Sequence, residues 1–411
     1  MLVKLRKLYS DFSFVFPLLI AFLLPFGINY GIIIALWLIS FFAFSDITHA
    51  VKQVIANRWS YPFFAFFLLP VVGYFFSINK AEALSSIEIK LPFLFLPLLL
   101  FASNFNQLQL KKIVISFVSG CLILSLLCLF RATYLYYFSD INSFFYSEFT
   151  YFLHPSYFAM YLIFAQLIVI LYYKKWLEHL DFLNIKIGFI SMILIPCIFL
   201  ASSKMGVITA FILIPSTVLI LLINKGYKKM IMIFLIGIVV LTGISYKLFP
   251  RPFERLKVAF TVTSSSETID LTAVESTAVR ILIWKQSMEI IKNNLIFGTT
   301  PGDANDALLQ AYQKNGLTGA IQKKLNAHNQ FLQTFIGTGI IGFIILLITT
   351  VGSMLYGFFR KNYLLVLFSI LIIFNFLVES MLQAQAGFMF FTIFICILTQ
   401  YNLSKLSDKY S

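Results

Sequence analysis

His328 stands where a long polar stretch, Arg280 to Gly342, runs into an apolar run, and it is one of only 4 histidines in the chain. An imidazole in such a place can take a proton from a hydroxyl near neutral pH; the alternative is an interfacial side chain that caps or packs the top of the following span. Arg280 opens the same stretch, and its planar guanidinium suits bidentate capture of a phosphate, which a lysine meets only as a point charge. Lys204 follows Ser202 and Ser203 in a short connection between two apolar runs, and Arg131 lies near the end of another run. An ionisable group so close to hydrocarbon is a site candidate by default; the alternative for both is a side chain that snorkels to the phosphates of ordinary lipids. Glu379, with Ser380 and Gln383 in the last short connection, either pairs with a cation, orients a substrate hydroxyl or is a solvated helix end. His154 precedes Pro155, so it either faces a ligand or merely sits where the proline starts a helix. Several cations, a candidate base and access from lipid fit a reaction whose leaving group is a lipid pyrophosphate. Cations stabilise the charge that grows on it, and the base deprotonates an incoming hydroxyl. His154, His328 and Glu379 offer too few ligands, with no close spacing between any two, for a metal site, so neither metal nor cofactor is expected.

The elements that must position these groups follow from spacing. Ile281, Trp284, Met288, Ile291 and Leu295 recur at steps of three and four, which predicts a helix with one apolar face beginning at Arg280. Asn293, Asn294 and Gly298 stop it, Pro301 and Gly302 turn the chain, and Asp303 and Asp306 are spaced to cap a second short helix. The stretch closes on Ala327-His328-Asn329-Gln330, and Gly337, Gly339 and Gly342 allow close packing at the mouth of the next apolar run. Upstream, Ser264 to Thr277 lacks apolar periodicity and reads as a mobile loop, suited to a lid over a bulky substrate.

Composition sets the class. With 60% hydrophobic and 12% charged residues and a mean hydropathy of +0.90, the chain is far from a water-soluble domain. Apolar stretches at 12–27, 31–45, 61–76, 91–103, 113–138, 152–173, 185–202, 205–223, 230–249, 330–356, 363–378 and 386–401 predict an all-α integral membrane bundle of about 12 transmembrane helices. Residues 1–246 then carry about nine spans, 247–329 form one large loop with amphipathic helices, and 330–411 carry about three spans. The net charge of +14 is a topology signal rather than a nucleic-acid surface. Lys4, Arg6 and Lys7, Lys52 and Arg58, Lys111 and Lys112, Lys174, Lys175 and Lys186, Lys225, Lys228 and Lys229, Arg360 and Lys361, and Lys405 and Lys409 all fall on one side. The other side has Lys80, Lys90 and Lys204 as exceptions. The positive-inside rule therefore puts both termini in the cytoplasm and the large loop outside, and sorts His49 and His179 inside, His154 and His328 outside. The first apolar stretch lacks a small-residue cleavage site and reads as a retained anchor. Cys121, Cys128, Cys197 and Cys396 lie inside these stretches, too scattered for a disulfide framework, and read as packing residues.

Two patterns carry a resemblance: Arg280 with Trp284 four residues on, followed by Gly298 and Gly302, and His328-Asn329 followed by Gly339-Ile340-Ile341-Gly342. They resemble the O-antigen ligase and polymerase superfamily, with weaker matches at His154-Pro155, Ser203-Lys204 and Glu379-Ser380. The resemblance implies a fold like that of the metal-independent C-type glycosyltransferases. It implies an enzyme of the bacterial cytoplasmic membrane that moves a glycan from undecaprenyl pyrophosphate to an acceptor on the outer, periplasmic face, among membrane lipids. His328 then looks like the histidine that activates the acceptor and Arg280 like the arginine that holds the pyrophosphate. Lys204 stands where many members have an arginine, which weakens the bidentate argument there. Arg131, His154, Glu379 and Trp284 join Lys204 as candidate substrate-binding residues. The reading favoured is a ligase that attaches a preassembled glycan to a lipid A-core acceptor. An O-antigen polymerase joining lipid-linked repeat units and a protein O-oligosaccharyltransferase are the alternatives of the same class. A lipid or polysaccharide flippase is the alternative of another class, and it would expect paired broken helices with charge at the midplane, whereas charge here lies at the outer boundary.

The topology is testable directly. A reporter fused at Ser265 is expected outside and one fused after Lys228 inside; cytoplasmic reporter activity at Ser265 would reverse the scheme.

Overall fold

A computed structural model describes residues 12–173, 183–248 and 277–401, together with residues 9, 251, 253, 254, 257, 271 and 272. Every regular element among them is helical, the arrangement that lets a chain in hydrocarbon satisfy its backbone within each segment. All the apolar stretches read from the sequence fall on helices or helix pairs. Among the described residues, five helices are long and apolar enough to cross a membrane: Lys80–Ala102, Gln107–Ser139, Lys204–Asn224, Lys228–Lys247 and Gln330–Phe359. A sixth arises if Gly31–Phe44 and Ile47–Ala56, bent by 117°, act as one. Ser60–Phe76, Pro155–Leu171, Tyr363–Phe376 and Gln385–Gln400 are apolar but shorter. This is the architecture of a polytopic membrane protein. The segment read as a mobile loop lies, apart from Leu271, Thr272 and Thr277, outside the described residues.

The main core is aromatic. Gln385–Gln400 is apolar on every side and buried from Gly387 to Leu398, as a helix without a polar face must be when other helices surround it. Its Phe394 lies with ring centroids 4.8 Å from both Phe117 and Phe164, and Phe164 is 4.8 Å from Phe368, spacings at which ring quadrupoles favour tilted or edge contacts. These rings tie together Gln107–Ser139, Pro155–Tyr173, Tyr363–Phe376 and Gln385–Gln400. The four cysteines are buried and unpaired.

A second, smaller core belongs to the polar stretch. Val279, Ile283 and Ile291 of the helix Thr277–Asn293 pack with Leu308 and Tyr312 of Ala304–Lys314, with Ala327, and with Ile336 of Gln330–Leu347. Both short helices stand where the spacing predicts them, but the capping role expected of Asp303 does not. The Asp303 carboxylate makes no cap to its own helix; it accepts from the backbone N–H groups of Ile78 and Asn79 and from Thr300 Oγ1, at 2.8 to 3.1 Å. Burial opposes its charge, yet these donors and Lys80 hold its carboxyl below the usual range. Asp303 thus fastens the polar stretch to the turn after Ser60–Phe76.

The glycines do the same from the other side. Gly298 has φ +71° and Gly339 φ +63°, left-handed values that L side chains resist. A Cβ on Gly298 would meet Ile336 O at 2.5 Å and Gly339 N at 2.6 Å. Across this contact Thr299 N donates to Ile336 O at 2.7 Å and Ile340 N to Leu295 O at 2.9 Å. The helix Gln330–Leu347 is therefore broken at Gly339 so that backbone can bond to backbone. Gly339→Ala adds a side chain against the Ile296 carbonyl at a left-handed backbone position. A loss of stability of about 1–3 kcal/mol or more is expected from the backbone term alone, read as a lowered unfolding midpoint in detergent; an unchanged midpoint would show that the junction is not strained.

Candidate active site

Three residues from separate segments meet through one carboxylate. Arg280 donates through Nη2 to Glu379 Oε1 at 3.0 Å and through Nη1 to the Val378 carbonyl at 2.9 Å. His328 Nδ1 lies 3.4 Å from Glu379 Oε2. The side chains of Arg280, His328 and Glu379 are 32%, 24% and 17% exposed, so the group sits at the wall of a pocket rather than in bulk water. Burial opposes the charge on Glu379, but the hydrogen bond from His328 and the charges of Arg280, His328 and His154 outweigh it. Its carboxyl is held below the usual range.

Local structure aims each group. His328 has φ +45°, a conformation histidine adopts more readily than most residues, and Asn329 directly after it caps the next helix by accepting from Leu332 N at 3.1 Å. The turn is pinned on both sides: Ala327 N donates to Gln333 Oε1 at 2.9 Å, and Trp284 Nε1 donates to the Ala327 carbonyl at 3.0 Å. Glu379 follows the helix Tyr363–Phe376, which ends instead of continuing through the connection. Its loop is stitched to the histidine turn by Asn329 Nδ2 to Leu377 O at 3.1 Å and by Leu382 N to Gln330 Oε1 at 2.7 Å. With Nδ1–H given to Glu379, the neutral His328 ring keeps the lone pair of Nε2 for an incoming proton.

Lys204, His154, Ser156, Ser203, Thr277 and Tyr146 share the same pocket of about 150 Å³ with Arg280, His328 and Glu379. Lys204 begins its helix just after Ser203, whose Oγ accepts from Gly206 N, and its ammonium donates to Thr277 Oγ1 at 3.3 Å. Gly206 lets that helix approach the one begun by Pro155: a Cβ there would stand 2.6 Å from the Ala159 Cβ. Close approach of the two helix starts is what brings Lys204 and His154 together. His154 Nδ1 accepts from Ser156 N at 3.4 Å while its carbonyl accepts from Phe158 N. The residue starts the helix and lines the pocket at once.

Two of the candidates are not on the pocket wall. Arg131 donates to the Glu148 carbonyl at 2.7 Å and stacks over the Tyr151 ring at 4.4 Å. These contacts hold the segment that presents Tyr146. Trp284 spends its indole N–H on the histidine turn. Thr277, Ser156 and Tyr146 escape sequence reasoning, and for Tyr146 the deciding feature, φ +58°, leaves no mark in the residue pattern. Among the described residues no group of three His, Cys, Asp or Glu side chains could hold a metal ion.

Residues 189–347 match the family model described as O-Antigen ligase. The matched range includes Lys204, Arg280, Trp284 and His328 and stops short of Glu379. No curated protein matches the chain. The match covers the stretch that carries most of the pocket and supports the resemblance to the O-antigen ligase and polymerase superfamily.

The depressed carboxyl of Glu379 fixes the sign of a pH effect. A carboxyl held below its ordinary value of 4.5 contributes stability that is present above that value and is lost as pH falls through the lower folded one. Glu379→Gln removes this contribution, so its unfolding midpoint should fall less than the wild-type midpoint between pH 5 and strong acid, while lying lower near neutrality. Parallel acid limbs would show that Glu379 is not held as an anion.

Proposed function

From the match of residues 189–347 to the O-Antigen ligase family model, we propose that this chain moves a preassembled glycan from undecaprenyl pyrophosphate to a hydroxyl of a lipid A-core acceptor at the outer face of the cytoplasmic membrane. The observation that carries the reading is the convergence of Arg280, Lys204, His154, His328 and Glu379 on one pocket. The charge bias of the connecting segments supports the side of the membrane.

In this reading the acceptor hydroxyl donates its proton to His328 Nε2 as its oxygen bonds to the anomeric carbon. The bond from that carbon to the pyrophosphate breaks, and its electron pair leaves on the phosphate oxygen. Arg280 and Lys204 stabilise that oxygen. Two of the Arg280 donors are held by Val378 and Glu379, and the remaining N–H groups of the guanidinium are available to phosphate. Glu379 sets the tautomer of His328 and stabilises the imidazolium that forms, the part a carboxylate plays beside a catalytic histidine. His154, on the same pocket wall, can hold a phosphate or sugar oxygen. Proximity supplies much of the remaining acceleration, since both substrates are lipids confined to the same membrane.

Two measurements test this. In a strain lacking the gene, long glycan chains are expected to accumulate on the carrier lipid; single repeat units on the acceptor would identify a polymerase instead. His328→Ala should slow transfer per folded molecule by about 10²–10⁴, the usual worth of general-base help, with donor binding retained. Near-normal turnover by folded His328→Ala would remove His328 from the mechanism.

A further inference from the structure

One charged side chain away from this pocket is buried without a counter-ion. Lys90 ends the helix Lys80–Lys90 and is 8% exposed. Its ammonium donates to Ser86 Oγ and has no other hydrogen bond or ion pair among the described residues. An ammonium carries three donors, and a buried charge left uncompensated is strongly destabilising. Such a group in a membrane protein is by default a candidate site that a ligand completes.

The space around Lys90 has two parts. A polar chamber of about 60 Å³ is walled by Lys90, Glu82, Ser85, Asn305, Gln330 and Gln333, with Lys90 buried and Glu82 exposed. It shares Leu69, Pro301, Gly337 and Thr338 with an apolar groove of about 610 Å³. Leu68, Val72, Phe76, Phe297 and Ile341 line that groove and are exposed, which beside lipid means that a hydrocarbon chain can enter from the side. We propose that chamber and groove together bind one anionic phospholipid of the surrounding bilayer, with its phosphate on Lys90 and an acyl chain in the groove.

Charge and size select this occupant. Lys90 is the buried charge of the chamber, while the Glu82 carboxylate on the same wall is exposed; one buried ammonium in a small chamber matches a single phosphodiester, whereas a pyrophosphate is better met by the paired cations Arg280 and Lys204 of the other pocket. The chamber also abuts the histidine turn. Gln330 and Gln333, which form its wall, accept from Leu382 N and Ala327 N, the bonds that hold the Glu379 and His328 loops. A phospholipid seated here braces the back of those two glutamines. The inference does not depend on which glycan the protein transfers.

The test uses the whole protein in mild detergent, offered phosphatidylglycerol, diacylglycerol of the same chains, or undecaprenyl phosphate, with bound lipid counted by native mass spectrometry. One phosphatidylglycerol is expected to be retained at least about tenfold more tightly than diacylglycerol, the scale of a charge-assisted hydrogen bond. Lys90→Met should reduce that retention by about the same factor, and Val72→Trp, which fills the groove with Lys90 intact, should reduce it as well. Unfolding midpoints without lipid establish that both variants are folded; if Lys90→Met is not, Val72→Trp and the diacylglycerol comparison decide. Equal retention of phosphatidylglycerol by wild type and folded variants, or no preference over diacylglycerol, overturns the proposal. So does displacement by undecaprenyl phosphate at equal concentration, which would assign the site to a carrier lipid.

Discussion

A half-buried carboxylate, that of Glu379, accepts from Arg280 on one oxygen and faces His328 on the other, and the geometry of the pocket depends on that double engagement. Taking a carboxylate out of water is costly, and the two partners offset the cost only while both stay in place. The same bonds orient the partners: the guanidinium is also anchored on Val378 O, and the imidazole is turned so that its other nitrogen is free to accept. Electrostatics and orientation are thus one constraint, and every element that carries Arg280, His328 or Glu379 must be held in position.

That positioning is done by backbone far more than by side-chain packing. The polar stretch bonds to the helix Gln330–Leu347 through Thr299 and Ile340, contacts possible only because Gly298 and Gly339 lack side chains. Asp303 ties the stretch to Ile78 and Asn79, and Gln330, Gln333 and Asn329 join the two loops that carry His328 and Glu379. Hydrogen bonds to backbone are directional, so they hold a turn with a tolerance that apolar contact alone does not reach. The aromatic core around Phe394 serves a different purpose: it fixes the helices that the loops join, without deciding where a single side chain points.

The two buried cationic regions use opposite solutions to the same cost. At the pocket, Arg280 is met by a carboxylate of the protein and has donors left over. At Lys90 the protein provides one hydroxyl and a polar chamber beside a lipid-facing groove, and leaves the charge to be completed from the bilayer.

Hydropathy alone determined the helical class and where the apolar helices lie, because a backbone in hydrocarbon has to close its hydrogen bonds within a segment or within a barrel, and apolar runs of this length show where. Residue type also singled out His328, Arg280, Lys204, His154 and Glu379, since ionisable groups at the edge of apolar runs are costly to keep. The sequence could not show that Glu379 bridges Arg280 and His328, that Asp303 leaves its own helix to bind Ile78, that Arg131 and Trp284 brace loops, or that the chain bends by 117° after Phe44. Those outcomes are contacts between segments far apart in the chain, or left-handed turns such as that at His328. Local periodicity records only which face of a segment is apolar; which polar atoms then meet across two faces is decided when the segments pack.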